Sequence, residues 1–91
     1  MINMVTLVGK VSTLPFESTA GIEGHPYAFT VKTDDTSFDI HIWEKLADII
    51  AEKFGLDTMV GIKGQLVKAN GSIHIIAERV SFVSQASEGD A

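Results

Sequence analysis

The chain has 91 residues, of which 45% are hydrophobic, so it suits one compact domain and leaves little room for a second. It has no cysteine, which excludes disulfides, thiol catalysis and cysteine-ligated zinc, and fits a reducing cytoplasm. Its formal net charge of −5 argues against a dedicated nucleic-acid binder, because phosphate contacts supply much of the affinity of such proteins. No apolar run is long enough to span a membrane, and the N-terminus lacks the pattern of a signal peptide.

The first half of the chain predicts three strands. Residues 4–11, "MVTLVGKV", are typical of a strand, and Gly9 within them marks a bulge or a sharp coil. Residues 12–26 contain both prolines and are predicted to form a long loop. The second strand covers residues 27–32, with Phe29 and Val31 on one face, and the third covers residues 38–43 after a turn.

A helix is predicted from Glu44 to Phe54, ended by Gly55. Its apolar stripe predicts that Leu46, Ile49 and Ile50 are buried against the strands.

Two further strands follow the helix. Residues 58–67 form the fourth, with Val60, Ile62 and Leu66 sharing a face, and residues 72–83 form the last. The Asn70-Gly71 pair between them predicts a tight hairpin turn. Residues 84–91 are small and polar, and we expect a disordered tail there, which makes residues 1–83 the domain.

Five strands with one helix between the third and the fourth is the order of the OB-fold, a partly open Greek-key barrel. The sequence therefore predicts a mostly β protein in which the helix plugs the bottom of the barrel. In this fold the second and third strands, with neighbouring loops, form the face that binds oligonucleotides.

The only tryptophan, Trp43, lies on the predicted polar face of the third strand, beside Asp39 and His41. One interpretation is that bases stack on its ring while nearby lysines follow the phosphate backbone. The other is that Trp43 is a core residue that closes the barrel against the helix, since tryptophan is often buried. The lysines available on or beside the predicted strands are Lys10, Lys32, Lys63 and Lys68.

The sequence offers no catalytic motif. There is no Gly-x-Ser-x-Gly elbow and no complete phosphate loop, and His25, His41 and His74 lack the spacing of metal ligands. We therefore expect a non-enzymatic protein with no metal and no cofactor.

Five stretches of the sequence resemble bacterial single-stranded DNA-binding proteins over residues 1–83. They are "MINMVTLVGKV", the segment from Pro15 to Phe29 that ends in "AFTV", "IWEKLADIIAE", "VGIKGQL" and "IIAERVSFV". The long first loop and "NGSIHIIAE" also resemble a related primosomal replication-restart protein, a dimeric OB-fold protein.

The resemblance implies a homodimer or homotetramer of bacterial or phage origin that binds single-stranded DNA in replication, recombination or repair. Trp43 corresponds to a base-stacking aromatic of the family, which favours the stacking interpretation. For assembly, we expect Val5 and Leu7 to face the barrel and Met4, Thr6 and Val8 to remain free to pair with a second copy.

The sequence also departs from the family. A second stacking aromatic falls on Ser37, a basic-aromatic pair falls on Ser18 and Thr19, and both hairpins are short. Two hypotheses follow. The first is a non-sequence-specific DNA-binding module, weaker than its relatives, with Trp43, His41 and the lysines at its interface. The second is an interaction module that has kept the barrel, lost most of its DNA site, and pairs with itself or with a replication protein.

Overall fold

The computed structural model describes residues 1–85, and they form six strands and one helix. The elements are β1 (Val5–Val11), β2 (Phe16–Glu17), β3 (Tyr27–Lys32), β4 (Ser37–Ile42), α1 (Glu44–Lys53), β5 (Met59–Ala69) and β6 (Ser72–Ser84). β2 lies in the predicted loop and was not expected. The predicted disordered tail falls on residues 84–91; β6 includes Ser84, and residues 86–91 lie outside the described part of the chain.

Five of the strands close into a barrel. Their order is β1-β5-β6-β4-β3, and β3 returns to β1 through the pairs Lys10–Lys32 and Val11–Val31. The pairing of β4 with β6 is parallel and the others are antiparallel. β2 adds a short edge on the far side of β3. This topology confirms the predicted OB-fold.

Two glycines allow the strands to approach closely. A β-carbon at Gly9 would lie 2.5 Å from the carbonyl oxygen of Lys32, so a larger residue would force β1 away from β3 where the barrel closes. At Gly64, beside the register shift between β5 and β6, a β-carbon would collide with the backbone of Ile76. Glycine is therefore required at both positions by backbone packing.

The helix packs against the barrel interior, as predicted, but with a shifted stripe. Leu46, Ala47 and Ile50 are buried in one cluster with core residues of the strands, whereas Ile49 is 40% exposed. The prediction for Ile49 is therefore wrong. Ile49 lies one residue, or about 100°, from Ile50 around the helix, which turns it away from the strands.

The expected orientation of β1 is confirmed. Val5 and Leu7 are half-buried, Leu7 packs against the core, and Met4, Thr6 and Val8 are exposed. No helix within residues 1–85 has the length and apolar character needed to cross a membrane.

The hairpin of β5 and β6 extends beyond the barrel. These strands have 11 and 13 residues, whereas β3 and β4 have six each. Leu66, predicted to share the buried face of Val60 and Ile62, is 45% exposed as a result. The backbone angles of Asn70 (φ 52°) and Gly71 (φ 82°) confirm the predicted tight turn at the tip of this hairpin.

Candidate nucleic-acid interface

The outer face of β3 and β4 is built from directly opposed pairs. Thr30 faces Asp39, and its hydroxyl donates a 2.8 Å hydrogen bond to the Asp39 carboxylate. Lys32 faces Ser37 at one end of the pair. The expected polar face therefore exists, but a carboxylate lies in its middle.

Trp43 follows β4 directly and occupies the N-cap position of α1 in an extended conformation. Its side chain remains 36% exposed, and it is not a member of the buried core cluster. The imidazole of His25 contacts the indole edge-on, with ring centroids 6.4 Å apart. Part of the ring is therefore accessible in the free protein, as base stacking requires.

Lys10 and Lys32 are brought together by the closure of the barrel. They are cross-strand partners on β1 and β3, both are exposed, and both line a cleft of about 630 Å³. Asp34 and Asp57 line the same cleft. Lys32 faces Ser37, which lies six residues before Trp43. The lysine pair is therefore at the opposite end of β4 from Trp43, about 20 Å away along an extended strand.

Lys63 and Lys68 lie away from this face. Lys63 is on β5, between Thr6 of β1 and Arg79 of β6. β5 is separated from the β3–β4 pair by β6 on one side and by β1 on the other. Lys68 is near the tip of the hairpin, opposite Ile73. The four predicted lysines therefore form no single cluster, and Arg79, which the sequence analysis did not single out, accompanies Lys63.

His41 is on the predicted face but is covered there, with only 6% of its surface exposed. Its Nδ1 shares a 2.9 Å hydrogen bond with the hydroxyl of Ser18, and its ring packs edge-on against His74 at 5.0 Å. Burial lowers the pKa of His41, the nearby imidazoles of His74 and His25 lower it further, and Asp39 opposes the shift. His41 is therefore neutral in the free protein at neutral pH.

The cover over His41 is the segment from β2 into the following loop. β2 pairs with β3 through Phe16 and Ala28, and Ala28 pairs with His41 on its other side. The Asn70 side chain donates a 2.6 Å hydrogen bond to the carbonyl of Ala20, which ties this loop to the tip of the β5–β6 hairpin. This connection was not predictable from the sequence, because a two-residue strand carries too little alternation to be recognised.

These groups line an open surface pocket of about 280 Å³, which we call the histidine cavity. Its lining includes Phe16, Ser18, Asp39, His41, Asn70 and His74. Phe16 is 40% exposed and supplies an aromatic wall that the sequence analysis did not assign to the interface. Within residues 1–85, no group of three or more histidine and acidic side chains has the arrangement of a metal site.

No family model and no curated protein sequence matches the chain. Solved structures do match. The dimeric N-terminal domain of the PriB protein from Thermoanaerobacter tencongensis is 27% identical, with a TM-score of 0.71 over 91% of this chain and 98% of that domain. The small single-stranded DNA-binding protein of Streptomyces coelicolor is 21% identical, with a TM-score of 0.62 over 91% and 94% of the two chains.

A mitochondrial single-stranded DNA-binding protein of S. cerevisiae is similar in structure at only 8% identity. Its TM-score is 0.73, over 94% of this chain and 100% of that chain. These similarities confirm the OB-fold and the predicted resemblance to single-stranded DNA-binding proteins and to the primosomal relative.

Proposed function

We propose that this protein is a non-catalytic module that binds single-stranded DNA without sequence preference, in replication, recombination or repair. The observation that carries the proposal is the accessible indole of Trp43 at the end of the β3–β4 face of an OB barrel. Every base has a flat face that can stack on such a ring, so this contact is tolerant of sequence. The similarity to proteins described as binding single-stranded DNA supports the same function.

The phosphate contacts begin at the lysine pair. A strand that runs along β4 from Trp43 reaches Lys32 and Lys10 after about 20 Å, a span of a few extended nucleotides. Lys63 and Lys68 extend the path only if the strand continues around the barrel, since β5 lies on its other side. His41, two residues before Trp43, contributes to the interface by lining the histidine cavity beside this path.

Binding is expected to be weaker than in typical relatives. Asp39 lies in the middle of the face, the lysines are dispersed, and the net charge is −5. For single strands, the logarithm of affinity falls with the logarithm of salt by about 0.7 per phosphate contact. Contacts from Lys10 and Lys32 alone predict a slope of about −1.4, and contacts from all four lysines predict about −2.8.

The outer side of β1 supports self-association. Met4 is 62% exposed and Val8 55% exposed, and the strand pairs with β3 only at its last two residues, which leaves an open edge before them. An open edge with apolar neighbours is a template for another strand. We propose a homodimer through β1, with a tetramer as the larger form. Lys63 lies opposite Thr6, on the outer side of β1. A dimer formed through β1 would therefore compete with DNA for contact with Lys63.

The alternative function is a protein-interaction module, of the primosomal or oligomerisation kind, with a replication protein as partner. The observations that favour it are Asp39 on the binding face and Ser37 where a second stacking aromatic is expected. In either case we place the protein in the cytoplasm, as the absence of cysteine suggests.

The two functions are separated by fluorescence anisotropy with labelled oligo-dT and with a duplex of the same length. We expect the single strand to bind more tightly than the duplex at low salt, with a slope between the two values above. Failure to bind oligo-dT at low salt would remove the DNA-binding function and leave the interaction module.

A further inference from the structure

All three histidines of the chain meet at the Trp43 end of the interface. His25 contacts the indole, His41 lies two residues before Trp43 on the same strand face, and His74 packs against His41. The lysine pair lies at the other end of the face. The histidines are therefore the side chains placed to supply positive charge beside a base that stacks on Trp43.

The two ring nitrogens of His41, which lines the histidine cavity, differ in their surroundings. The Nδ1 of His41 is hydrogen-bonded to Ser18, whose hydroxyl also accepts the backbone N–H of Ala20 at 3.1 Å. Among the described residues, no fully buried side-chain nitrogen or oxygen lacks a partner. No hydrogen bond of Nε2 is found within residues 1–85, so this atom keeps some contact with solvent, and we infer that the contact is made through the cavity that His41 lines.

The spacing suits one nucleotide. His41 and Trp43 are two residues apart, or about 6.7 Å along an extended strand. A nucleotide whose base stacks on Trp43 therefore has a phosphodiester group close enough to reach His41. The cavity, at about 280 Å³, is large enough for such a group. Ser18, Ser72 and Asn70 add hydroxyl and amide groups to its wall.

The charged groups around His41 determine when the cavity attracts an anion. His74 on β6 and His25 in the loop after β2 disfavour its protonation, and Asp39 on β4 favours it. Glu17 of β2 and Lys68 of β5 are on bordering strands but do not line the cavity. Glu17 lines a neighbouring pocket together with His25 and Ser18.

The loop before β3 also carries Glu23, whose side chain is exposed. It is the backbone carbonyl of Glu23 that contacts His25, at 3.2 Å. In the cavity, one carboxylate, Asp39, therefore faces the two imidazoles of His41 and His74.

We propose that the histidine cavity is a subsite for one phosphodiester group of the bound strand, and that His41 engages this group in protonated form beside His74. This proposal rests on the proposed DNA-binding function. In the free protein His41 is neutral, since its lowered pKa lies below the usual 6.5. A phosphate in the cavity stabilises the imidazolium and raises that pKa. Binding therefore takes up protons, and affinity increases as pH falls.

The test is the affinity of the full chain for oligo-dT at constant ionic strength, near pH 8 and near pH 6. Each proton taken up strengthens binding by at most about tenfold per pH unit. We therefore expect the Kd near pH 6 to be at least about threefold lower than the Kd near pH 8. His74→Gln removes one imidazole from a half-buried position and should reduce this change. His41→Gln should reduce it further if the variant folds. Lys32→Ala is the matched control: it weakens binding at both pH values and leaves their ratio unchanged.

A second readout is the titration of the histidine ring protons by NMR. We expect the pKa of His41 to be higher with saturating oligo-dT than without it, which a purely structural histidine would not show. Equal affinity at both pH values, or an undiminished pH effect in His74→Gln together with an unchanged His41 titration, would overturn the subsite while leaving the DNA-binding function. Absence of binding at both pH values would overturn both.

Discussion

Replacing Trp43 with alanine separates a binding role of this residue from a structural one. Loss of one base-stacking contact costs about 1–3 kcal/mol, which weakens the Kd by about 5- to 160-fold. Truncation of a fully buried tryptophan costs about 3–5 kcal/mol of folding free energy. Because Trp43 is already 36% exposed, we scale that cost to about 2–3 kcal/mol.

The assay is oligo-dT anisotropy together with urea unfolding of the same samples. Phe82→Ala is the matched control, because Phe82 is a 51% exposed aromatic that packs on Phe54, with ring centroids 6.1 Å apart, rather than on the β3–β4 face. It should lower stability without changing the Kd. An unchanged Kd in Trp43→Ala, with a loss of stability of about 4 kcal/mol or more, would refute the stacking role and make this tryptophan structural.

Three further predictions concern the barrel and its charges. Ile50→Ala should destabilise the fold by about 2–5 kcal/mol, and Ile49→Ala by distinctly less, as measured by urea unfolding; similar losses would contradict the packing of α1. Gly9→Ala should cost about 1–3 kcal/mol by the same measurement, because the added carbon meets the Lys32 carbonyl, and a neutral effect would contradict the close β1–β3 contact. Asp39→Asn should tighten oligo-dT binding by about two- to tenfold at low salt near pH 8, where the support that Asp39 gives to protonated His41 matters least, and the effect should fade as salt rises. Weaker binding at that pH would place Asp39 among the groups that contact DNA.

The five strands of the barrel and the helix, in their order along the chain, were predictable from the sequence because their patterns are strong. Residues 27–32 were predicted with the observed bounds, and the Asn70-Gly71 turn has the backbone angles that its sequence predicts. Alternation predicted the face of Leu66 but not its exposure. Leu66 lies opposite Ile75, which packs against the core, but β1 pairs with β5 only as far as Gly64, and Leu66 is left 45% exposed beyond that point.

The candidate site was predictable in part. Alternation placed Trp43 and His41 on one face, and the accessible indole agrees with it. The covering of His41 depends on Phe16 pairing with β3 and on Asn70 bonding to Ala20, which are contacts between distant segments with no local signal. The meeting of Lys10 with Lys32 likewise depends on how the barrel closes.

The central claim, that a single strand binds along β3 and β4 with a base on Trp43, is tested most directly by the protein's own fluorescence. The chain has one tryptophan, so a change in its emission reports on this site alone. Titration with oligo-dT at low salt should quench the emission in a saturable manner, and the affinity should fall with salt with a slope of about −1.4 to −2.8. Emission that stays constant while anisotropy shows bound oligonucleotide would place the DNA elsewhere on the molecule and contradict the account.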